Sequence, residues 1–126
     1  MKSWAGAVVA VLVGVSAQAS AQSGDAAKGQ RVFNTQCRAC HTLEKDGAST
    51  TGPNLHAVFG RKAGTGGGYE SSEAMVKSGI VWDDATMTEY LRDPKGKVPG
   101  TKMVYNGVKN AGQLADLVAY LKDATK

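Results

Sequence analysis

The chain has 126 residues, 42% of them hydrophobic, and its 15 Lys and Arg against 11 Asp and Glu leave a formal net charge of +4. That length holds one domain, and so slight a basic excess does not by itself select a partner, nucleic acid included. Beyond the N-terminal stretch no segment is apolar enough to span a bilayer.

At the N-terminus, Lys2 supplies a positive charge and Ala5 to Val15 is an uncharged run of Ala, Val, Leu and Gly. Ser16 to Gln22, SAQASAQ, then offers the A-x-A pattern twice, at Ala17/Ala19 and Ala19/Ala21. This is the layout of a secretory signal peptide. The apolar run falls short of the roughly 20 residues a spanning helix needs, so cleavage after Ala19 or Ala21 is expected rather than an uncleaved anchor. Residues 1–21 are thus read as the removed signal and 22–126 as a single domain. In a bacterium, export implies the periplasm, an oxidising compartment.

Three helical patterns follow. The first runs from about Ala26 to Ala39, with Asp25 as its cap and Gly29, Val32, Phe33, Cys37 and Cys40 marking one face. The second, in WDDATMTEYLRDP, has Asp83 or Asp84 as cap, Met87, Tyr90 and Leu91 on one side, and Pro94 as its stop. The third, in NAGQLADLVAYLKD, opens with a box-like Asn110 and Gln113 and carries a stripe of Leu114, Leu117, Val118 and Leu121. A short helix is expected from Ser72 to Ser78, stopped by Gly79. No strand pattern is longer than Gly79 to Trp82.

Two long irregular stretches, one before Ser71 and one from Pro94 to Val108, are studded with Leu55, Val58, Phe59, Trp82, Met103 and Tyr105 nearby. They are too apolar for disordered linkers, and long loops in a compact domain are commonly functional. The helices alone make a meagre core for so small a domain. Something large, flat and apolar is needed in the middle.

Cys37-Arg38-Ala39-Cys40-His41 holds the two cysteines of the chain. On a helix these three side chains, at i, i+3 and i+4, would share one face. C-x-x-C-H is the pattern of covalent c-type haem attachment, each sulfur taking a thioether bond and the imidazole coordinating the iron. A thioredoxin-like pair would want a preceding strand in a βαβ unit. Zinc would want four ligands, with His56 the obvious extra candidate. A plain disulfide explains neither His41 nor the core deficit. For the other axial position the candidates are His56, Met75, Met87 and Met103. Met87 and Met75 sit on helices where packing is the ordinary role, whereas Met103 lies in a loop that could aim it.

With these residues in view, the sequence resembles class I cytochrome c, the mitochondrial protein and the bacterial periplasmic cytochrome c2 alike. CRACH is followed in the family's order by TGPNLH (Thr51 to His56), FGRK (Phe59 to Lys62), GIVW (Gly79 to Trp82), EYLRDP (Glu89 to Pro94), PGTKM (Pro99 to Met103) and ADLVAYLK (Ala115 to Lys122). The resemblance implies an all-α cytochrome c fold, three main helices plus a short one and long loops around one covalent haem c held by Cys37 and Cys40. It implies His41 and Met103 as axial ligands and the Pro53 carbonyl as acceptor for the His41 ring. Tyr90 and Thr101 become neighbours of the methionine side, and Arg61 and Trp82 neighbours of the propionates. Gly29, Phe33, Leu117 and Tyr120 resemble the crossing of the terminal helices. Departures are Ser71 and Met75, where the family often has tyrosine and asparagine, Ser49 for a histidine, and Gln36 for a lysine.

The implied function is that of a one-electron carrier rather than an enzyme, since both axial positions are filled. Membrane redox complexes would be its partners: a cytochrome bc complex upstream, a terminal oxidase or photosynthetic reaction centre downstream. It would dock transiently as a monomer and without membrane insertion. Glu70, Glu73, Asp83, Asp84 and Glu89 cluster before residue 90, and Arg92, Lys95, Lys97, Lys102 and Lys109 after it. Such asymmetry can steer docking, with Lys95, Lys97, Lys102 and Lys109 the expected contact residues.

Overall fold

The computed structural model describes residues 24–126 and, ahead of them, residues 2–3, 5–12 and 14. Ser16–Gln22, which carries the expected cleavage site, lies outside the described residues. Five helices are described, α1 (Ala26–Gln36), α2 (Glu73–Lys77), α3 (Asp84–Arg92), α4 (Pro94–Lys97) and α5 (Ala111–Ala124). Among the described residues the strand content is one isolated antiparallel bridge, Lys62 with Val81. No helix among them is long and apolar enough to cross a membrane. The fold is all-α.

α1 begins where Asp25 accepts hydrogen bonds from the N–H groups of Ala27 and Lys28, at 2.9 and 3.2 Å. It stops at Gln36, short of the expected Ala39. The Phe33 carbonyl accepts from both Cys37 N–H (2.8 Å) and Arg38 N–H (2.9 Å), which widens the ladder by one residue. Cys37 then leaves helical geometry, with φ −121° and ψ −34°. The N–H groups of Cys40 and His41 both turn back to the Cys37 carbonyl at 3.1 Å. CRACH is therefore a tight turn appended to the helix, not a stretch of helix face.

α1 crosses α5 closely. A Cβ on Gly29 would run into the Asp116 carbonyl and come within 2.8 Å of the Tyr120 Cβ, so only glycine permits this approach. The Phe33 and Tyr120 rings meet at 5.7 Å between centroids, tilted by 51°, within the range of favourable aromatic pairs. Asp116 also accepts the Asp25 N–H at 2.7 Å. The predicted stripe Leu114, Leu117, Val118 and Leu121 is the buried face of α5, and Asn110 caps it through the Gln113 N–H at 2.9 Å.

α3 opens on a full capping box between Asp83 and Thr86 and buries Met87, Tyr90 and Leu91. It ends because Asp93, ahead of Pro94, is extended (φ −153°, ψ 84°). Pro94 stops this helix as expected, yet it does not open a wholly irregular stretch. It takes the first position of α4, where a missing N–H costs nothing, and Asp93 caps that turn through the Gly96 N–H at 3.2 Å. α2 is capped by Ser72 and left through Gly79 at φ +69°.

The loop between α1 and α2 is ordered by polar side chains rather than by periodic packing. Asn54, only 5% exposed, donates to the Glu44 and Gly47 carbonyls and the Thr42 hydroxyl at 2.8 to 2.9 Å. Its side-chain Oδ1 accepts the His56 N–H at 2.7 Å. Ser49 accepts the Asn54 N–H and donates to the Gly67 carbonyl, fastening the glycine run to the same node. The loops can therefore hold a fixed shape around an interior that the helices do not fill.

Candidate functional site

That interior is a cavity of about 240 Å³. Its lining is largely apolar, with Phe33, Leu55, Val58, Trp82, Leu91 and Leu121 among the contributors, and it also takes in Cys37, Cys40, His41 and Met103. The core deficit expected from the sequence has a physical counterpart here.

His41 Nδ1 lies 2.8 Å from the Pro53 carbonyl oxygen. A carbonyl can only accept, so Nδ1 carries the proton and Nε2 keeps a free lone pair. Burial lowers the pKa of the ring, against the opposing pull of the Pro53 bond, and so favours the neutral form. A neutral imidazole with a fixed tautomer is what metal ligation requires. Gly52 completes the arrangement: a Cβ there would lie 2.6 Å from Cε1 and 2.9 Å from Nδ1 of His41. Its N–H bonds the Cys40 carbonyl at 2.9 Å, tying the TGPN segment to the turn.

No disulfide joins Cys37 and Cys40. Burial, with Cys40 nearby, pushes the Cys37 thiol up to about 11. Redox-active C-x-x-C pairs do the reverse, exposing a thiol of depressed pKa. Among the described residues no three His, Cys, Asp or Glu side chains cluster as they would around a metal ion. Two thiols on a turn, a neutral imidazole beside them and an apolar cavity without a filling side chain suit a covalently attached haem.

Of the candidates for the second axial position, Met75, Met87 and Met103 all line the cavity, while His56 lies outside the lining. Met87 is buried within the α3 face and Met75 belongs to α2. Met103 comes from the irregular segment after α4. Its N–H donates to Thr101 Oγ1 at 3.3 Å, and Thr101 Oγ1 lies 2.7 Å from the Tyr90 hydroxyl. Tyr90 thus anchors the Met103 segment to α3. The Tyr90 ring also packs on Trp82, 5.2 Å between centroids, and burial raises its pKa.

Arg61 lines the cavity, but its guanidinium is engaged by two backbone carbonyls, His56 and Asn54, each at 3.2 Å. Ser71 lines it as well. Tyr69, which the sequence pattern did not single out, lines it too and donates to the Thr51 carbonyl at 3.1 Å. Gly52 was likewise missed. Its signal, a glycine before proline in TGPN, is too common to be specific.

The four lysines differ. Lys102 lines the cavity, donates to the Glu70 carbonyl at 2.7 Å and lies 5.8 Å from the Tyr69 ring centroid. Lys95 is exposed on α4. Lys97 pairs with Glu89 at 2.5 Å, and Lys109 donates to the Arg92 carbonyl at 2.7 Å. The acidic and basic groups separated along the sequence thus meet in space at one point, where Glu89 and Lys97 pair.

A sequence model of the family described as Cytochrome c matches residues 26–125. Cytochrome c of Gibberella zeae is 50% identical over 103 residues, 82% of this chain and 97% of its own length. That of Chlamydomonas reinhardtii is 45% identical over 111 residues, 88% and 99% of the two chains. Among solved structures, cytochrome cH from Methylobacterium extorquens is 48% identical with a TM-score of 0.74, covering 79% of this chain and 99% of that one.

Proposed function

Because the chain belongs to the cytochrome c family, we propose that it shuttles single electrons between membrane redox complexes from the bacterial periplasm. It is an electron-transfer protein carrying covalent haem c, not an enzyme. The location rests on the apolar run and paired A-x-A sites ahead of residue 22. A cytochrome bc complex as donor, and a terminal oxidase or photosynthetic reaction centre as acceptor, rest on the resemblance.

Bound haem c supplies a reversible couple between ferric and ferrous iron. Cys37 and Cys40 would hold it through thioethers, and His41 and Met103 would ligate the iron, His41 through Nε2. Pro53 keeps the imidazole proton on Nδ1 and strengthens the ligand. Tyr90 and Thr101 steady the Met103 segment. A thioether ligand favours the reduced state, and the apolar walls, Trp82 among them, exclude water and act in the same direction. Arg61, held by two carbonyls, would add positive charge near the propionates. Lys95, Lys97, Lys102 and Lys109 would steer an acidic partner, with Lys102, the cavity-lining one, foremost.

The single observation that carries this reading is the sharing of one apolar cavity by the CRACH turn, a tautomer-fixed His41 and the loop-borne Met103. Alanine substitution of each lining methionine tests it. Met103→Ala should abolish the methionine–iron charge-transfer band, lower the potential and admit cyanide. Met87→Ala should cost about 2–5 kcal/mol of stability as a buried truncation yet keep the band, and Met75→Ala should keep it too. If Met103→Ala leaves band and potential as in the parent, the ligand assignment is wrong.

A further inference from the structure

We propose that Tyr105 and Gln36 form a latch that holds the Met103 segment closed against the cavity, making both positioning residues for the axial methionine. The proposal rests on the reading of Met103 as the iron ligand.

The segment around Met103 has little holding it through its own backbone. Thr101 N–H bonds the Val98 carbonyl at 3.0 Å and Val108 N–H bonds the Leu91 carbonyl at 2.8 Å, but no residue between them makes a backbone–backbone hydrogen bond. Val104, next to Met103, is 93% exposed. A stretch without ladder bonds or a buried apolar side chain at its centre belongs to the low-stability end of a structure. Its conformation then depends on side-chain tethers.

There are three. Two residues before Met103, Thr101 is tied to Tyr90 of α3 at 2.7 Å. Immediately before it, Lys102 reaches the Glu70 carbonyl. Two residues after it, the Tyr105 hydroxyl donates to Gln36 Oε1, across 69 positions of sequence. Gln36 is the last residue of α1 and precedes Cys37 directly. The third tether therefore joins the Met103 segment to the element that carries the attachment turn, and both of its members line the cavity. Without it no hydrogen bond holds the segment between Met103 and Val108.

In the bond observed, the phenol donates and position 36 accepts. The lysine expected there from the resemblance has three donors and no acceptor, and could not take a hydrogen bond from a phenol. Glutamine offers a carbonyl oxygen. The latch is thus a property of Gln36 and Tyr105 together, and each should be inert without the other.

The test uses haem-loaded protein as parent, Tyr105→Phe, Gln36→Leu, the double variant and Gln36→Glu. Hydrogen–deuterium exchange of peptides covering residues 98–108 reads opening without reference to the iron. Displacement of Met103 by added imidazole reads it at the ligand. Each single loss of the bond should raise exchange and imidazole binding about two- to tenfold, the range for one net hydrogen bond. The double variant should go no further than either single one, and Gln36→Glu, which keeps an acceptor, should stay near the parent. Single variants that exchange like the parent, or effects that multiply in the double variant, would overturn the latch. Met103→Ala, run alongside, separates the two ideas: an unchanged charge-transfer band there refutes Met103 as ligand, while the exchange data still judge the latch.

Discussion

The His41 ring and the Pro53 carbonyl meet at 2.8 Å, and Gly52, between Thr51 and that proline, leaves the space the ring occupies. One glycine therefore makes room for the ring and one carbonyl sets its tautomer. Gly52→Ala would place a methyl group 2.6 Å from Cε1. Overpacking of this kind costs about 1–3 kcal/mol, and moving the ring would weaken its bond to Pro53. Guanidinium unfolding of the haem-loaded variant should show that loss, and potentiometry a raised reduction potential, because an imidazole less firmly bonded to Pro53 is a poorer donor to ferric iron. A variant with the parent's potential would mean that Gly52 shapes the loop but not the ligand.

The cap of α3 gives a pH-dependent expectation. Bonds from the Thr86 backbone and side chain, with Ala85 adding to them, hold the Asp83 carboxyl below its ordinary value of 3.8. A carboxyl whose pKa is depressed by folding stabilises the protein above its unfolded pKa and ceases to do so as the pH falls through its folded one. Asp83→Asn keeps a good cap but removes that titration. The parent should exceed the variant in thermal stability at neutral pH, and the gap should close as the pH falls below about 4. A gap that stays constant with pH would mean that ionisation of Asp83 contributes nothing.

Much of this was legible in the sequence because it is periodic or covalent. The stripe on α5, the buried face of α3 and the caps at Asp25 and Asn110 follow from spacing and capping chemistry, and CRACH is legible as a haem-attachment pattern. What could not be read are contacts made at long range without a pattern. The end of α1 at Gln36 depends on the Phe33 carbonyl taking two N–H groups, which no residue type announces. α4, with the sequence PKGK, has no apolar period to detect. The order of the first loop hangs on the buried amide of Asn54, and polar residues in a loop look alike until one is buried. Nor does the order of charges along the chain announce that Lys97 folds back onto Glu89.

That pair alters the docking expectation. Lys97 is partly neutralised, and an exposed pair of this kind adds little stability. Lys102→Glu should slow the bimolecular reaction with an acidic partner by about tenfold or more at low salt, with the deficit shrinking as charges beyond about 10 Å are screened at 0.1 M. Lys97→Gln should slow it much less. Stopped-flow oxidation by a membrane partner across a salt series compares them. Equal losses from both would mean that net charge alone governs encounter.

The central claim is that this chain holds a six-coordinate haem c and exchanges one electron with no open position at the iron. An optical redox titration of the protein matured with haem tests it most directly. The account predicts a single reversible one-electron transition between low-spin states, with a methionine–iron charge-transfer band in the ferric form that vanishes on reduction. A high-spin ferric spectrum without that band, or a ferrous form that binds carbon monoxide readily, would contradict it.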